Sequence, residues 1–325
     1  MVKTSFVALA VFVACAVHVH GASDDVEVAW ENFQAHHPIN TKSQTETTKR
    51  KENFVKTHNM IVRHKKNKMA TFEMEHNVFS VMDEEEKKLY TGAIAPASRD
   101  FTHYITDETM RQLPTSLDYR TNKCLSAVKN QGSCGSCWAF TAIAPLEFAQ
   151  CKKTGVAVVL SEQQLVDCDT SNGGCGGGWY TSAWNYMKNG SAKQSLYTYT
   201  ATARTCKFTS SMISSKVATY GYVASKSPSA MQSALQKYGP LAVAITVVKS
   251  IYSYKSGVYT DVACDNLGVN HGVVVVGWGT LSGLDYWIVR NSWGSGWGSL
   301  GYILIQRGVN KCSIETYPAT VTSVV

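Results

Sequence analysis

An α+β fold with a cleft between its two halves is what the sequence predicts, and two changes along the chain carry that reading. Residues 137–189 read as a helical half, with helices at 137–153, 161–167 and 179–189, whereas from residue 241 onward the chain turns to β-branched and aromatic runs bounded by glycines, at 241–248, 272–276, 286–289 and 302–305. The second change falls at Leu113-Pro114. Residues 23–112 are dense in charge and hold no cysteine, while nine cysteines follow residue 113. The boundary is placed there, giving segments 1–22, 23–112 and 113–325.

Lys3 precedes a near-continuous apolar run from Phe6 to Val19, and Gly21 and Ala22 follow it. That run is shorter than the roughly 20 residues a bilayer span needs, so residues 1–22 read as a cleaved secretory signal, with an uncleaved signal anchor as the alternative. Phe54, Val55, Met60 and Ile61 recur at helical spacing among lysines between Glu46 and His64, which predicts an amphipathic helix packed on something else. Asn77 to Met82 reads as a short strand, Asp83-Glu84-Glu85-Glu86 as a helix start, and residues 94–111 as a polar linker.

After the boundary, a helix over 137–153 contains Pro145, expected to kink it or break its ladder at a cost of about 3 kcal/mol. Ser161-Glu162-Gln163-Gln164 has capping-box spacing and opens a second helix through Asp167. Residues 172–178 are too glycine-rich for regular structure and bring bare backbone to a surface. A third helix is expected over 179–189, where Asn189-Gly190-Ser191 forms a glycosylation sequon.

Residues 1–112 hold 14 Lys/Arg against 15 Asp/Glu, and residues 113–325 hold 17 against 9. The second excess suits acidic partners or solubility, but it lacks the dense basic runs of a nucleic-acid reader. Neither a nucleic-acid nor a membrane partner is expected.

Cys134 and Cys137 stand three apart in the loop Gln131-Gly132-Ser133-Cys134-Gly135-Ser136-Cys137, which runs into the apolar Trp138-Ala139-Phe140. A thiol where a loop becomes a helix meets the positive end of the helix dipole, which favours thiolate. If Cys15 leaves with the signal, nine thiols remain; in an oxidising compartment they make four bridges and one free thiol, with the connectivity open. Eight of the nine histidines lie at or before His103, so His271 is the one candidate base after residue 113. Thiol–disulfide exchange is a competing chemistry, because Cys134-Gly135-Ser136-Cys137 is also a C-x-x-C motif. One histidine and mostly bridged thiols supply too few ligands for zinc, and no metal or cofactor is expected.

Cys134-Gly135-Ser136-Cys137-Trp138 is followed by His271, 134 residues after Cys137, and by Asn291, 154 residues after it. Further motifs stand in order: Leu113-Pro114 with Asp118-Tyr119-Arg120, Gly272-Val273 with Gly277-Trp278-Gly279, Arg290-Asn291-Ser292-Trp293-Gly294, and Gly296-Trp297-Gly298. On these motifs the chain resembles the papain-like cysteine proteases, on the cathepsin L side, over almost its whole length.

The resemblance implies a papain-like two-subdomain fold and a cysteine endopeptidase made as an inactive precursor. It implies Cys137 as nucleophile, His271 as its ion-pair partner and proton donor, and Asn291 as the group that orients the imidazole under Trp293. Gln131 and the Cys137 N–H would form the oxyanion hole. It implies bridges Cys134–Cys175, Cys168–Cys206 and Cys264–Cys312, which leave Cys124 and Cys151 to pair. Gly177 and Gly178 would line the cleft, with Trp179, Tyr180, Ala244, Asn270 and Gly272 near the specificity pocket and a bulky Tyr317 narrowing its base.

For residues 23–112 it implies an inhibitory propeptide. Glu46, Arg50, Phe54 and Ile61 fall on the family's helix pattern, and Asn77 and Phe79 on its next motif. Thr57, Lys65 and Val81 depart from the pattern, Val81 standing where an aspartate is usual. Other departures are Tyr119, Asn270 and Pro145. The implied partners are peptide and protein substrates, the chain's own propeptide and cystatin-like inhibitors, acting on a monomer. The implied location is the secretory pathway, ending in a lysosome, another acidic vacuole or secretion. A family member without activity, serving as a binding protein, is the remaining alternative.

Overall fold

The computed structural model describes residues 25–97 and 113–325. The signal reading of residues 1–22, Cys15 and linker positions 98–111 lie outside the described residues.

The N-terminal segment opens with α1 (residues 25–36) and α2 (Gln44–Lys65). Ser43 starts α2 by accepting the Glu46 N–H at 3.2 Å, and Arg63 and Lys65 end it with charge that suits the dipole. The two helices bury Trp30, Phe33 and Phe54 as a small aromatic core. Then come β1 (Phe72–Met74), a 3-10 turn (Val78–Val81) and α3 (Glu84–Lys88), the last begun by a reciprocal box in which Asp83 and Glu86 cap each other. The strand expected over Asn77–Met82 is therefore corrected to a turn. Asn77 Oδ1 takes the Phe79 N–H at 3.0 Å and Ser80 Oγ takes the Asn77 N–H at 3.1 Å, so side chains satisfy the backbone locally and no sheet partner is needed.

Beyond the boundary lie β2 (Leu117–Asp118), α4 (Cys137–Thr154), α5 (Glu162–Cys168), α6 (Tyr180–Met187), β3 (Ser191–Ala192) and β4 (Ile213–Ser215). Apolar residues line most of α4, which is buried accordingly. It continues through Pro145, which removes the rung to the Thr141 carbonyl without ending the element, because Pro145 is itself packed inside. Gly155, at φ 76°, stops it and donates to the Cys151 carbonyl at 2.7 Å. The glycine segment is less irregular than its composition suggests, with a short 3-10 turn at Gly174–Gly176.

The strand half comprises β5 (Val217–Tyr222), α7 (Pro228–Tyr238), β6 (Leu241–Ile245), α8 (Lys249–Tyr252), β7 (Tyr254–Tyr259), β8 (His271–Leu281), β9 (Leu284–Arg290), β10 (Tyr302–Gln306) and β11 (Ala319–Val324). The main sheet runs β1-β7-β10-β9-β8-β6-β11-β5, with β2 on β8. Its first strand belongs to the N-terminal segment, with Phe72 opposite Gly257. Within the sheet, Ile245 faces His271, Ala244 faces Gly272 and Val274 faces Arg290. That register puts His271, at the start of β8, and Asn291, just past the end of β9, at one end of the sheet, where α4 packs across β8.

Four disulfides join Cys124 to Cys151, Cys134 to Cys175, Cys168 to Cys206 and Cys264 to Cys312. Cys137 is the free cysteine among the described residues. No helix among them is long and apolar enough to cross a membrane.

Candidate active site

The thiol and the imidazole come from opposite walls of the cleft. Cys137 is the first residue of α4, held there because the Cys134–Cys175 bridge ties the preceding loop to the glycine segment and the Gly135 N–H donates to the Cys175 carbonyl at 2.9 Å. His271 opens β8. Its Nε2 lies 2.7 Å from Asn291 Oδ1, and that oxygen also accepts the Ser292 N–H at 2.8 Å. An oxygen shared between two contacts accepts from both, so Nε2 carries the hydrogen and Nδ1 carries the lone pair. Nδ1 is buried with no hydrogen-bond partner among the described residues. Trp293 covers the ring, with centroids 4.9 Å apart, and Trp297 supports Trp293 edge-on at 5.0 Å.

Sγ of Cys137 accepts from the Gly272 N–H at 3.3 Å. Cys137 and His271 are both wholly inaccessible, at 0% exposure. Burial pushes the Cys137 thiol up to about 12, against the pull of the Gly272 and Trp138 N–H groups, and it holds the His271 imidazole down to about 4, against the Asn291 contact. The pair is therefore neutral in this state. The thiolate that the helix terminus favours is outweighed by desolvation.

Gln131 is buried beside the thiol. Its Nε2 donates to the Cys134 carbonyl at 2.9 Å, and its Oε1 accepts from Ser292 Oγ at 2.6 Å. The Tyr199 hydroxyl donates to the Gln131 carbonyl at 2.8 Å. Ser292 lies inside the asparagine motif, but nothing in the sequence singles out its hydroxyl, and Tyr199 carries no sequence signal.

What buries the site is the N-terminal segment. The N–H groups of Gly92 and Ala93 donate to the Asn270 carbonyl at 2.8 and 3.0 Å. The Gly178 N–H donates to the Gly92 carbonyl at 2.9 Å, and the Ile94 N–H to the Gly178 carbonyl at 3.0 Å. Ala93 enters the apolar cluster that holds Cys137, Trp179, Tyr180 and Ala244, with Tyr317 packed at its side. Gly177 admits the segment because it has no side chain; a Cβ there would sit 2.8 Å from the Gly92 carbonyl oxygen. Gly272 likewise leaves room for Thr141 Oγ1.

Two expected pocket residues work differently from a simple lining role. Asn270 offers its backbone to the cleft, while its side chain clamps Val247 from both sides, at 2.8 and 3.2 Å. Tyr317 meets Trp179 edge-on at 5.4 Å, and its carbonyl accepts from the Tyr180 hydroxyl. Asn189 is exposed just past the end of α6, while Ser191 of the same sequon is buried in β3.

Cys134 is bonded to Cys175 and not to its neighbour in the C-x-x-C motif, so the pair is no dithiol. A free thiol, an imidazole oriented by an amide, and a cleft filled by the chain's own N-terminal segment define a thiol peptidase that carries its inhibitor. Comparison with known proteins agrees. Residues 113–322 match the papain family cysteine protease model, and residues 30–86 match the cathepsin propeptide inhibitor domain (I29). The chain belongs to the papain family of cysteine proteases and carries a propeptide inhibitor domain ahead of a peptide-bond hydrolase.

Among its relatives, cathepsin K of Mus musculus is 36% identical over 299 residues, covering 89% of this chain and 91% of that protein. Digestive cysteine proteinase 3 of Homarus americanus is also 36% identical, covering 90% and 93%. The solved structure of digestive procathepsin L2 proteinase from Tenebrio molitor larval midgut aligns with TM-score 0.86 at 32% identity, covering 91% of this chain and 99% of that one.

Proposed function

We propose that this chain is a secreted or vacuolar endopeptidase whose residues 23–112 keep the mature unit, residues 113–325, inactive until they are removed, and whose residues 1–22 direct it to the secretory pathway. The observation that carries the reading is the pairing of Gly92, Ala93 and Ile94 with Asn270 and Gly178 directly over the buried Cys137.

Removal of the segment readmits water to the cleft. Hydration lowers the Cys137 thiol and raises His271, so that the proton moves from sulfur to Nδ1 and an ion pair forms. The thiolate attacks a peptide carbonyl carbon. The oxyanion is met by the Cys137 N–H and by the Gln131 amide, whose second N–H is available for it. The carbonyl re-forms as the C–N bond breaks, His271 Nδ1–H protonates the departing amine, and a thioester remains on Cys137. Water, giving its proton to Nδ1, attacks that thioester and frees the acid. Asn291 holds the ring in the orientation both transfers need.

Tyr317 beside Trp179 and Tyr180 narrows the apolar pocket, favouring small apolar side chains two residues before the scissile bond; Ala93 is seated in the same cluster. The mature enzyme would act as a monomer and be subject to cystatin-like inhibitors. Acidified proprotein should lose residues 23–112 and then cleave peptides internally. Release of single residues or dipeptides from chain ends, with no internal cleavage, would contradict the endopeptidase assignment.

A further inference from the structure

We propose that Tyr199 is a positioning residue for the oxyanion hole: its hydroxyl fixes the backbone of Gln131, and through that backbone the amide that meets the substrate oxygen. The proposal rests on the oxyanion role put forward for Gln131 above.

Gln131 is held on both sides of its Cα. Its N–H donates to the Ser292 carbonyl at 2.8 Å, and its carbonyl accepts from the Tyr199 hydroxyl at 2.8 Å. Each bond fixes one rigid peptide plane, and two fixed planes set the direction of the Cα–Cβ bond between them. The side-chain bonds to Ser292 Oγ and the Cys134 carbonyl then fix the rotation of the amide. Removing the Tyr199 bond frees the second plane. Its other group, the Gly132 N–H, is bonded within the loop, to Asn130 Oδ1 at 3.0 Å, and Gly132 itself is the most permissive residue type. The hold on that plane from outside the loop is Tyr199.

The hydrogens can run in one direction only. A carbonyl cannot donate, so the Tyr199 hydrogen goes to Gln131, and Ser136 Oγ, 2.6 Å from the Tyr199 oxygen, donates to it. Ser136 stands at the N-cap of α4, immediately before Cys137, yet its hydroxyl makes no capping bond to that helix. It is spent on Tyr199 instead. The phenol thus ties the carbonyl of Gln131 to the residue that precedes the Cys137 N–H, and so spans the two donors of the hole. Burial, joined by the charges of Glu162 and Cys137 and opposed by the Ser136 contact, keeps the Tyr199 hydroxyl above its ordinary value, so it remains a donor throughout the acid and neutral range.

Tyr199 is itself fixed in place. Its ring meets Phe140 of α4 edge-on at 4.9 Å. Gln163 of α5 accepts the Thr200 N–H at 2.7 Å and donates to the Thr202 carbonyl at 2.8 Å, so one side chain clips the backbone on both sides of Ala201. Ala201 sits at φ 53°, a conformation that alanine rarely enters and that persists where the surrounding bonds over-determine it. The bend brings this segment against the cysteine loop. Gly132 admits it there, since a Cβ on Gly132 would lie 3.2 Å from that of Ala201. All of these groups lie in residues 113–325, so the brace remains in the mature unit.

The test is Tyr199→Phe in the full chain, processed like the parent by an added acid protease of another class that is then inhibited, so that activation does not depend on the variant's own rate. Phe keeps the contact with Phe140 and deletes both hydroxyl bonds. On a peptide substrate kcat should fall about tenfold with KM within about twofold of the parent. Iodoacetamide, whose displacement by sulfur develops no oxyanion, should alkylate Cys137 at the parent's rate. In the Gln131→Ala background the same substitution should cost less than about twofold in kcat, because the group it aims is gone. An undiminished kcat overturns the proposal. So does an alkylation rate that falls in step with kcat, which would make Tyr199 a support for the fold or the thiolate, and so does a further tenfold loss on top of Gln131→Ala. Failure of the oxyanion role would appear separately, as a parental kcat in Gln131→Ala alone.

Discussion

The indole N–H of Trp293 donates to the backbone carbonyl of Tyr90 at 2.9 Å. Trp293 is the ring laid over His271, and Tyr90 belongs to the inhibitory segment, so one hydrogen bond ties the catalytic roof to its inhibitor. Tyr90 also packs edge-on against Phe79 at 4.8 Å, and Phe79 touches both Trp293 and Tyr252. Inhibition thus acts at two places, an aromatic plug on the roof and a backbone pairing in the cleft.

The plug is tested by Phe79→Ala. Phe79 is almost fully buried, and truncating a buried Phe costs about 3–5 kcal/mol. Part of that loss falls on the contacts to the peptidase domain, so the uncut chain should hydrolyse peptide at neutral pH at least tenfold faster than the parent. Activity after removal of residues 23–112 should be unchanged.

The backbone pairing is tested at Gly92. Its φ of 158° is one that residues with a side chain rarely adopt, and space is a second constraint. A Cβ would lie 2.2 Å from the Gly135 carbonyl oxygen, in the loop that carries Cys137. Gly92→Ala should lift the segment from the cleft and raise thiol alkylation of the uncut chain at pH 7, with the fold of the mature unit intact by circular dichroism.

Gln131 separates chemistry from binding. Gln131→Ala removes the donor proposed for the oxyanion and should lower kcat about 100- to 1000-fold with little change in KM. Ser292→Ala leaves that donor present but frees the amide it anchors at 2.6 Å, so a smaller kcat loss, about tenfold, is expected. Steady-state kinetics of the two activated variants, side by side, check the order.

The Cys124–Cys151 bridge closes a loop of separation 27 onto the C-terminal end of α4. Loop entropy predicts that replacing both cysteines by serine costs about 3–4 kcal/mol in denaturant unfolding. Peptidase kinetics at 25 °C should not move, since the bridge lies at the far end of the helix from Cys137.

Cys137 and His271 stood out as candidates by scarcity, whereas Asn291, one of nine asparagines after residue 113, stood out through its motif. After residue 113 one histidine and one odd thiol leave few combinations, and the glycine and tryptophan motifs bracket them. Strands β6 and β8 were legible from the β-branched runs at 241–248 and 272–276, although β6 ends at Ile245. Less so was β7, which reads Tyr-Lys-Ser-Gly-Val-Tyr and is a strand because β1 and β10 pair with it. The turn at Val78–Val81 looked like a strand because it is rich in apolar and β-branched residues, whereas Asn77 and Ser80 decide the backbone through side-chain bonds. The state of the thiol was not legible at all. A helix terminus favours thiolate, and only the structure places Gly92 and Ala93 over the sulfur to outweigh it.

The central claim is that Cys137 is a nucleophile masked by the chain's own N-terminal segment. The most direct measurement is the rate and site of alkylation by a thiol-directed epoxide, before and after acid activation, with the labelled residue located by mass spectrometry. The account predicts negligible labelling of the uncut chain at pH 7. After activation it predicts stoichiometric labelling of Cys137 alone, with loss of peptidase activity in step. Labelling at another cysteine, equal labelling before and after activation, or peptidase activity surviving in Cys137→Ala would contradict it.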